Sequence, residues 1–120
     1  MQAELASISA IVPRWHPEHT DSLTWTRTAN VNPAKFKAAM AWAHEVATYG
    51  KGKTGVEYKV EVARSGNYGR IRWVAQVESM AIYGQAIDKM KGDAKYFDLL
   101  EKAADLFIPG TTVDEFWETL

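Results

Sequence analysis

Histidines, aromatic rings and a hairpin's worth of paired charges are the parts of this 120-residue sequence that have the means to do chemistry. His16 stands beside Trp15, at the expected end of a strand. A neutral imidazole at a pocket mouth acts as a general base or orients a ligand. The alternative for His16 is an ordinary loop histidine. His16-Pro17-Glu18-His19 also invites a metal reading. Two histidines three residues apart share a face only on a helix, and Pro17 favours extended chain, so no metal is expected. His44 lies inside a helical pattern, one residue past Ala43 and therefore about 100° around the axis. It enters a pocket facing the sheet, or it is a hydrogen-bonded histidine at the helix–sheet boundary. Trp15, Trp25, Trp73 and Tyr83 are the aromatic candidates for the wall of a ligand site. Their alternative is core packing.

Other chemistries drop out by residue type. The chain has no cysteine, which removes disulfides, thiolate nucleophiles and Cys-type metal sites. Gly50-Lys-Gly-Lys-Thr-Gly55 contains Gly-Lys-Thr, but Ala47 occupies the upstream glycine position of a phosphate loop, and the segment follows a helix instead of a strand. No Gly-x-Ser-x-Gly elbow occurs. Glu57, Glu61, Arg70 and Arg72 alternate across a hairpin and read as a cross-strand ladder. No cofactor is expected. Lys and Arg total 14 against 15 Asp and Glu, without a basic block, so nucleic acid is not an expected partner. A net charge near zero gives little resistance to self-association. No apolar run reaches the ~20 residues of a membrane span, and no secretory leader pattern opens the chain. A cytoplasmic location is the default expectation. Five Trp, five Tyr and four Phe point to a large core, an interface or an apolar pocket.

The elements that must position these residues follow from periodicity. Residues 5–15 alternate loosely and read as a first strand, with Ala6, Ile8, Ala10 and Val12 on one face. Residues 16–31 read as a long polar loop, holding at most a short strand at Thr24-Trp25-Thr26. Asn32-Pro33 opens a helix. Its core stripe is Phe36, Ala39, Met40, Ala43 and Ala47, and it ends near Gly50 as a left-handed cap. Trp42, Val46 and Tyr49 form a second stripe on that helix, suited to a partner or to the long loop, and Trp25 and Trp42 are candidates for an aromatic wall or a dimer contact.

Residues 56–64 and 69–78 form a hairpin around a Gly66-Asn67 turn. That turn sets Val62 against Ile71, Val60 against Trp73, Tyr58 against Ala75 and Glu61 against Arg72, and a slip of one residue would spoil both faces. Ser79 caps a helix over Met80–Met90. Asp93 caps another, with Tyr96, Phe97, Leu100, Ala103, Ala104 and Phe107 as its stripe, ended by Pro109-Gly110. Residues 111–119 read as a last strand, with Val113, Glu115 and Trp117 on one face and Asp114 and Phe116 on the other.

Strand, helix, strand, strand, broken helix, strand is the order of a single α+β domain of ferredoxin-like β-α-β-β-α-β type: an antiparallel sheet with helices on one face. The other face carries Ser7, Ser9, Glu57, Lys59, Glu61, Arg70, Arg72 and Gln76, and is open to water or packed on a semi-polar partner sheet.

Tyr96-Phe-Asp-Leu-Leu-Glu-Lys-Ala-Ala-Asp-Leu-Phe-Ile-Pro-Gly110 followed by Val113-Asp-Glu-Phe-Trp-Glu118 resembles the end of domains in the dimeric α/β-barrel superfamily. That superfamily includes antibiotic-biosynthesis-type monooxygenases, haem-degrading monooxygenases, NIPSNAP-like proteins and stress-responsive barrels. The resemblance implies a homodimer closed by two sheets back to back, and a pocket in each protomer between sheet and helices. Haem-degrading members use an Asn on the first strand, a Trp on the third and a His on the second helix. Trp73 matches, whereas Tyr83 and Ser7 or Ser9 stand where the His and Asn would be. Haem degradation is therefore not implied.

The reading that results is a small-molecule-binding dimeric α/β-barrel protein. It extends to a cofactor-independent, monooxygenase-like enzyme for a hydrophobic or aromatic substrate, with His16 or His44 as the polar group. The alternative is a non-catalytic dimeric scaffold or partner-binding module. No motif names a substrate, and whether the chain is an enzyme stays open at this level.

Overall fold

A computed structural model describes residues 23–66 and 69–120. The strand expected over residues 5–15 falls outside them, as do Trp15, His16 and His19. The described elements are strand β1 (Leu23–Asn30), helix α1 (Phe36–Thr54), strands β2 (Lys59–Val62) and β3 (Arg70–Val77), helices α2 (Met80–Lys91) and α3 (Ala94–Lys102), and strand β4 (Val113–Glu118).

These elements supply the whole β-α-β-β-α-β order by themselves. The four strands pair antiparallel in the order β2-β3-β1-β4, with the helices packed on one face. The opening strand of the motif is thus residues 23–30, a segment whose polar side chains argued for a loop. Its alternation is real but muted. Leu23, Trp25, Arg27 and Ala29 share one face, and Thr24, Thr26 and Thr28 the other. Threonine and tryptophan suit a pleated, half-buried surface despite their polar atoms. As the central strand, β1 is flanked on both sides, and Thr26 is buried although it faces away from the helices.

The hairpin register follows its two faces. Val60 lies opposite Trp73, Val62 opposite Ile71 and Glu61 opposite Arg72. Arg72 Nε donates to Glu61 Oε1 at 2.7 Å on the outer face. The ladder starts at Lys59, so Tyr58 sits just before it. Gly66 holds φ +70°, the positive value that the turn requires of its first central residue.

Helix α1 runs past the expected stop. Gly50 lies inside it, and Gly55 (φ +79°) is the left-handed cap, its N–H donating to Lys51 O. Gly55→Ala is expected to cost about 1–2 kcal/mol, because the substitution forces a side chain into that backbone region; urea unfolding checks it. The buried face of α1 is Ala39, Ala43, Ala47 and Gly50, with Trp42 beside it, while Met40 is exposed. Trp42, read as part of an aromatic wall or as a contact to a partner or the long loop, is in this chain's own core, edge-on to Trp73 (6.0 Å) and Phe107 (5.6 Å), with Nε1 donating to Leu99 O at 2.8 Å.

Ser79 Oγ accepts from Ile82 N at the start of α2. Asp93 does not cap α3 with its side chain. Its carboxylate takes the Tyr49 hydroxyl and lies 3.9 Å from Lys53 Nζ, which ties the α2–α3 break to α1. The buried residue of α3 is Leu99, one position away from the stripe read from sequence, and Phe97 and Leu100 are exposed. Beyond α3, Phe107 bridges to Val31 and closes the sheet end of the core.

Candidate functional site

Large rings separate the helices from the sheet and leave space between them. A cavity of about 260 Å³ is lined by β1 (Trp25, Arg27), β3 (Trp73), Tyr58, and residues of α1, α2 and α3. Two aromatic groups frame it. Trp42, Trp73 and Phe107 pack edge to face or tilted within 6.0 Å of one another. Trp25, Tyr58, Tyr83 and Phe116 make the other group. Trp25 lies 5.8 Å from Tyr58 and 6.2 Å from Tyr83, and Tyr83 stands edge-on to Phe116 at 4.7 Å. The helix side stays open because α1 presents Ala47 and Gly50 there. A Cβ on Gly50 would lie 3.0 Å from the Tyr58 ring, so glycine is what allows Tyr58 to approach.

One ion pair sits in this apolar setting. Arg27 faces the helices, and its cross-strand partner on β4 is Asp114. Arg27 Nε donates to Asp114 Oδ1 at 2.7 Å and Nη2 to Oδ2 at 2.8 Å, a bidentate fork. The guanidinium also lies 5.4 Å from the Trp25 ring centroid, within cation–π range. The Asp114 hydrogen bond moves Arg27 further above its ordinary range, against the opposing effect of burial, and the Tyr96 hydroxyl adds to the upward shift.

Burial likewise raises Tyr58 and Tyr83 above the usual phenol value, and the Asp114 charge adds to the rise at Tyr83. Both therefore remain protonated hydrogen-bond donors through the neutral range. Tyr49 is raised by its bond to Asp93. Raised folded-state values mean that the folded chain holds more protons than the unfolded one in alkali. The stability these groups contribute is complete below pH about 10 and is lost as pH rises through the folded values. Spectrophotometric titration of phenolate is expected to show a late-ionising class of tyrosines, and Tyr58→Phe to shrink it.

Of the residues singled out by sequence, Trp25, Trp73 and Tyr83 line the cavity. Trp73 Nε1 is committed to Ala43 O at 3.1 Å. His44 is exposed and faces a separate groove with Thr48, Lys51 and Glu57, away from the cavity. The helix turns it outward because Ala43, one residue earlier, faces the sheet. Among the described residues no cluster of three or more His, Asp or Glu is placed to hold a metal.

Arg27, Asp114, Tyr58 and Tyr96 were not read as site residues. A signal for the first two existed: opposite charges, Arg27 on an otherwise apolar strand face and Asp114 next to Phe116 on another. It becomes visible only once residues 23–30 are recognised as the strand beside β4.

No protein-family model matches the chain, and no curated protein matches it. Solved structures do. A NIPSNAP family protein of unknown function from Agrobacterium tumefaciens superposes with TM-score 0.70 at 14% identity, covering 83% of this chain and 89% of that one. A NIPSNAP domain protein from Burkholderia xenovorans gives 0.71 at 8% identity, over 82% and 94%. A candidate antibiotic biosynthesis monooxygenase from Nitrosomonas europaea gives 0.63 at 12% identity, over 82% and 89%. The fold is ferredoxin-like: a four-stranded antiparallel sheet with helices on one face, as in these structures. At these identities the likeness to NIPSNAP-type and monooxygenase-type barrels establishes the fold alone. Function has to be argued from the cavity.

Proposed function

We propose that this chain binds an apolar small molecule in the cavity between its sheet and helices. The observation that carries the reading is the half-open space itself, walled by aromatic rings and furnished with the Arg27 and Lys91 cations and a few phenol donors. That combination of apolar lining and few convergent polar groups is the usual make-up of a small-molecule site. A non-catalytic scaffold would have no use for such space, since packed rings stabilise a core better than separated ones. A cavity of ~150 Å³ is enough for benzene, so about 260 Å³ suits two fused rings. Calorimetric titration with naphthalene tests this; saturable binding is expected, and its absence would favour the scaffold.

The chain works as a homodimer in this proposal. The outer sheet face leaves Trp117 at 62% and Val113 at 53% exposed beside the Arg72–Glu61 pair, a semi-polar surface suited to a second copy. Trp117→Glu is expected to shift the sedimentation coefficient from dimer to monomer. An unchanged wild-type monomer would remove the dimer from the account.

The likeness to the Nitrosomonas europaea structure favours a catalytic extension: oxygenation of an electron-rich aromatic without a cofactor. The substrate would supply the two electrons that reduce the second oxygen atom of O₂ to water. Oxygen uptake with 1,5-dihydroxynaphthalene, measured against a Trp25→Ala control, tests it. His16, which lies outside the described residues, remains the proposed general base, whereas the exposed His44 has no part in this version. Among the described residues no helix is long and apolar enough to cross a membrane; a cytoplasmic location is part of the proposal.

A further inference from the structure

The stripe that α2 turns to the cavity ends on a charge. Tyr83, Ile87, Met90 and Lys91 all line the cavity, at the i, i+4, i+7 and i+8 spacing of one helix face. The first three are half-buried. Lys91 is exposed, so it stands where the half-open cavity meets water. A lysine suits such a place, since its methylenes cover apolar surface while the ammonium keeps its water.

Charge on the lining is one-sided. Among the described residues that line the cavity, the charged ones are Arg27 and Lys91, and none is Asp or Glu. Arg27 is committed: Asp114 takes it in a bidentate fork, and the Tyr96 hydroxyl engages it as well. An anion brought to that end would face the Asp114 carboxylate. Lys91 is not committed. Lys51, Lys53 and Lys102 each pair with a carboxylate, whereas among the described residues Lys91 has neither an ion-pair nor a hydrogen-bond partner. Asp93, two residues on, is held by the Tyr49 hydroxyl and Lys53. The helix dipole does not require a cation on this face either, because Lys89 also stands in the last turn of α2.

Solvation points to the same end of the cavity. A carboxylate sunk among the rings would lose its hydration at high cost. At the mouth it keeps part of its water and gains a charge-assisted hydrogen bond. The apolar body of the same molecule gains by leaving water for the aromatic walls.

We propose that the ligand is an amphipathic anion, its flat apolar body among the rings and its one carboxylate at the mouth, on the Lys91 ammonium. This rests on the cavity being the ligand site, and it adds the charge of the ligand and the direction in which it lies.

The test compares naphthalene, 2-naphthamide and 2-naphthoate by calorimetry on the full chain at neutral pH. The amide matches the acid in shape without its charge. Wild type should bind 2-naphthoate about fivefold more tightly than 2-naphthamide, the order expected of a partly exposed ion pair. Lys91→Gln should remove that advantage and leave naphthalene affinity close to that of wild type. Lys89→Gln removes a charge from the same helix end but not from the cavity lining, and should keep the advantage. Equal binding of acid and amide by wild type, with naphthalene bound, would overturn the inference of an anion and leave the cavity reading intact. An advantage for the acid that survives Lys91→Gln would overturn the role of Lys91. Failure of every probe to bind a folded wild-type chain would overturn the cavity reading, and this inference with it.

Discussion

Trp42→Ala is expected to destabilise the chain by about 3–5 kcal/mol, the range for deleting a buried aromatic side chain. Trp42 is 8% exposed and joins three layers of the molecule. From α1 it packs edge-on against Trp73 of the sheet at 6.0 Å and Phe107 at 5.6 Å, and its N–H satisfies Leu99 O on α3. Truncation removes the buried area, both ring contacts and the partner of a carbonyl at once. The loss would be a large share of the roughly 5–15 kcal/mol that stabilises a typical domain. Trp42→Phe separates the contributions: it retains most of the packing but leaves Leu99 O without its donor, for an expected cost of about 1–2 kcal/mol. Equilibrium urea unfolding measures both. A cost for Trp42→Ala below about 1 kcal/mol would mean that this indole does not join the three layers.

The second large effect concerns binding. Ile87 lies on α2, is half-buried and lines the cavity. Ile87→Trp extends a ring into space that is already open, so it should avoid the strain of overfilling a packed core. The expected outcome is a loss of naphthalene affinity of at least tenfold, with a melting temperature equal to or above that of wild type. The two readouts have to move in this way together. Lost binding with lost stability would indicate a disturbed fold, and unchanged binding would place the ligand elsewhere.

How much of this was legible in the sequence depended on whether the local pattern and the tertiary context agreed. The β2–β3 hairpin was readable residue by residue because both of its faces alternate and Gly66 supplies the turn; Val62–Ile71 and Glu61–Arg72 fell where the pattern put them. The Ser79 cap and the faces of β4 were legible for the same reason. Strand β1 was not. Its outer face is threonine and its inner face contains Arg27, so a segment flanked by strands on both sides reads as a polar loop. Misplacing that strand at residues 5–15 hid the Arg27–Asp114 pairing, since neither residue looks special without the other. The end of α1 was missed because Gly50, a reasonable helix stop, is there to make room for Tyr58. In the same way, Trp42 looked surplus to a monomer until α3 was known to supply Leu99 O as its acceptor.

The cavity itself was anticipated as a class of feature, and three of its aromatic residues, Trp25, Trp73 and Tyr83, were named in advance. Its polar chemistry was expected from histidine. Among the described residues that chemistry instead comes from an Arg–Asp pair and tyrosines. Histidine draws attention because it titrates near neutrality. The Arg27–Asp114 pair on the inner face of the sheet draws no such attention, because its two members lie far apart in the sequence.

The most direct test of the central claim is a crystal structure of the chain grown with naphthalene. The account predicts ligand density between the Trp25–Tyr83 and Trp42–Trp73 groups. A structure in which those rings close on one another and the ligand binds elsewhere, or not at all, would contradict it.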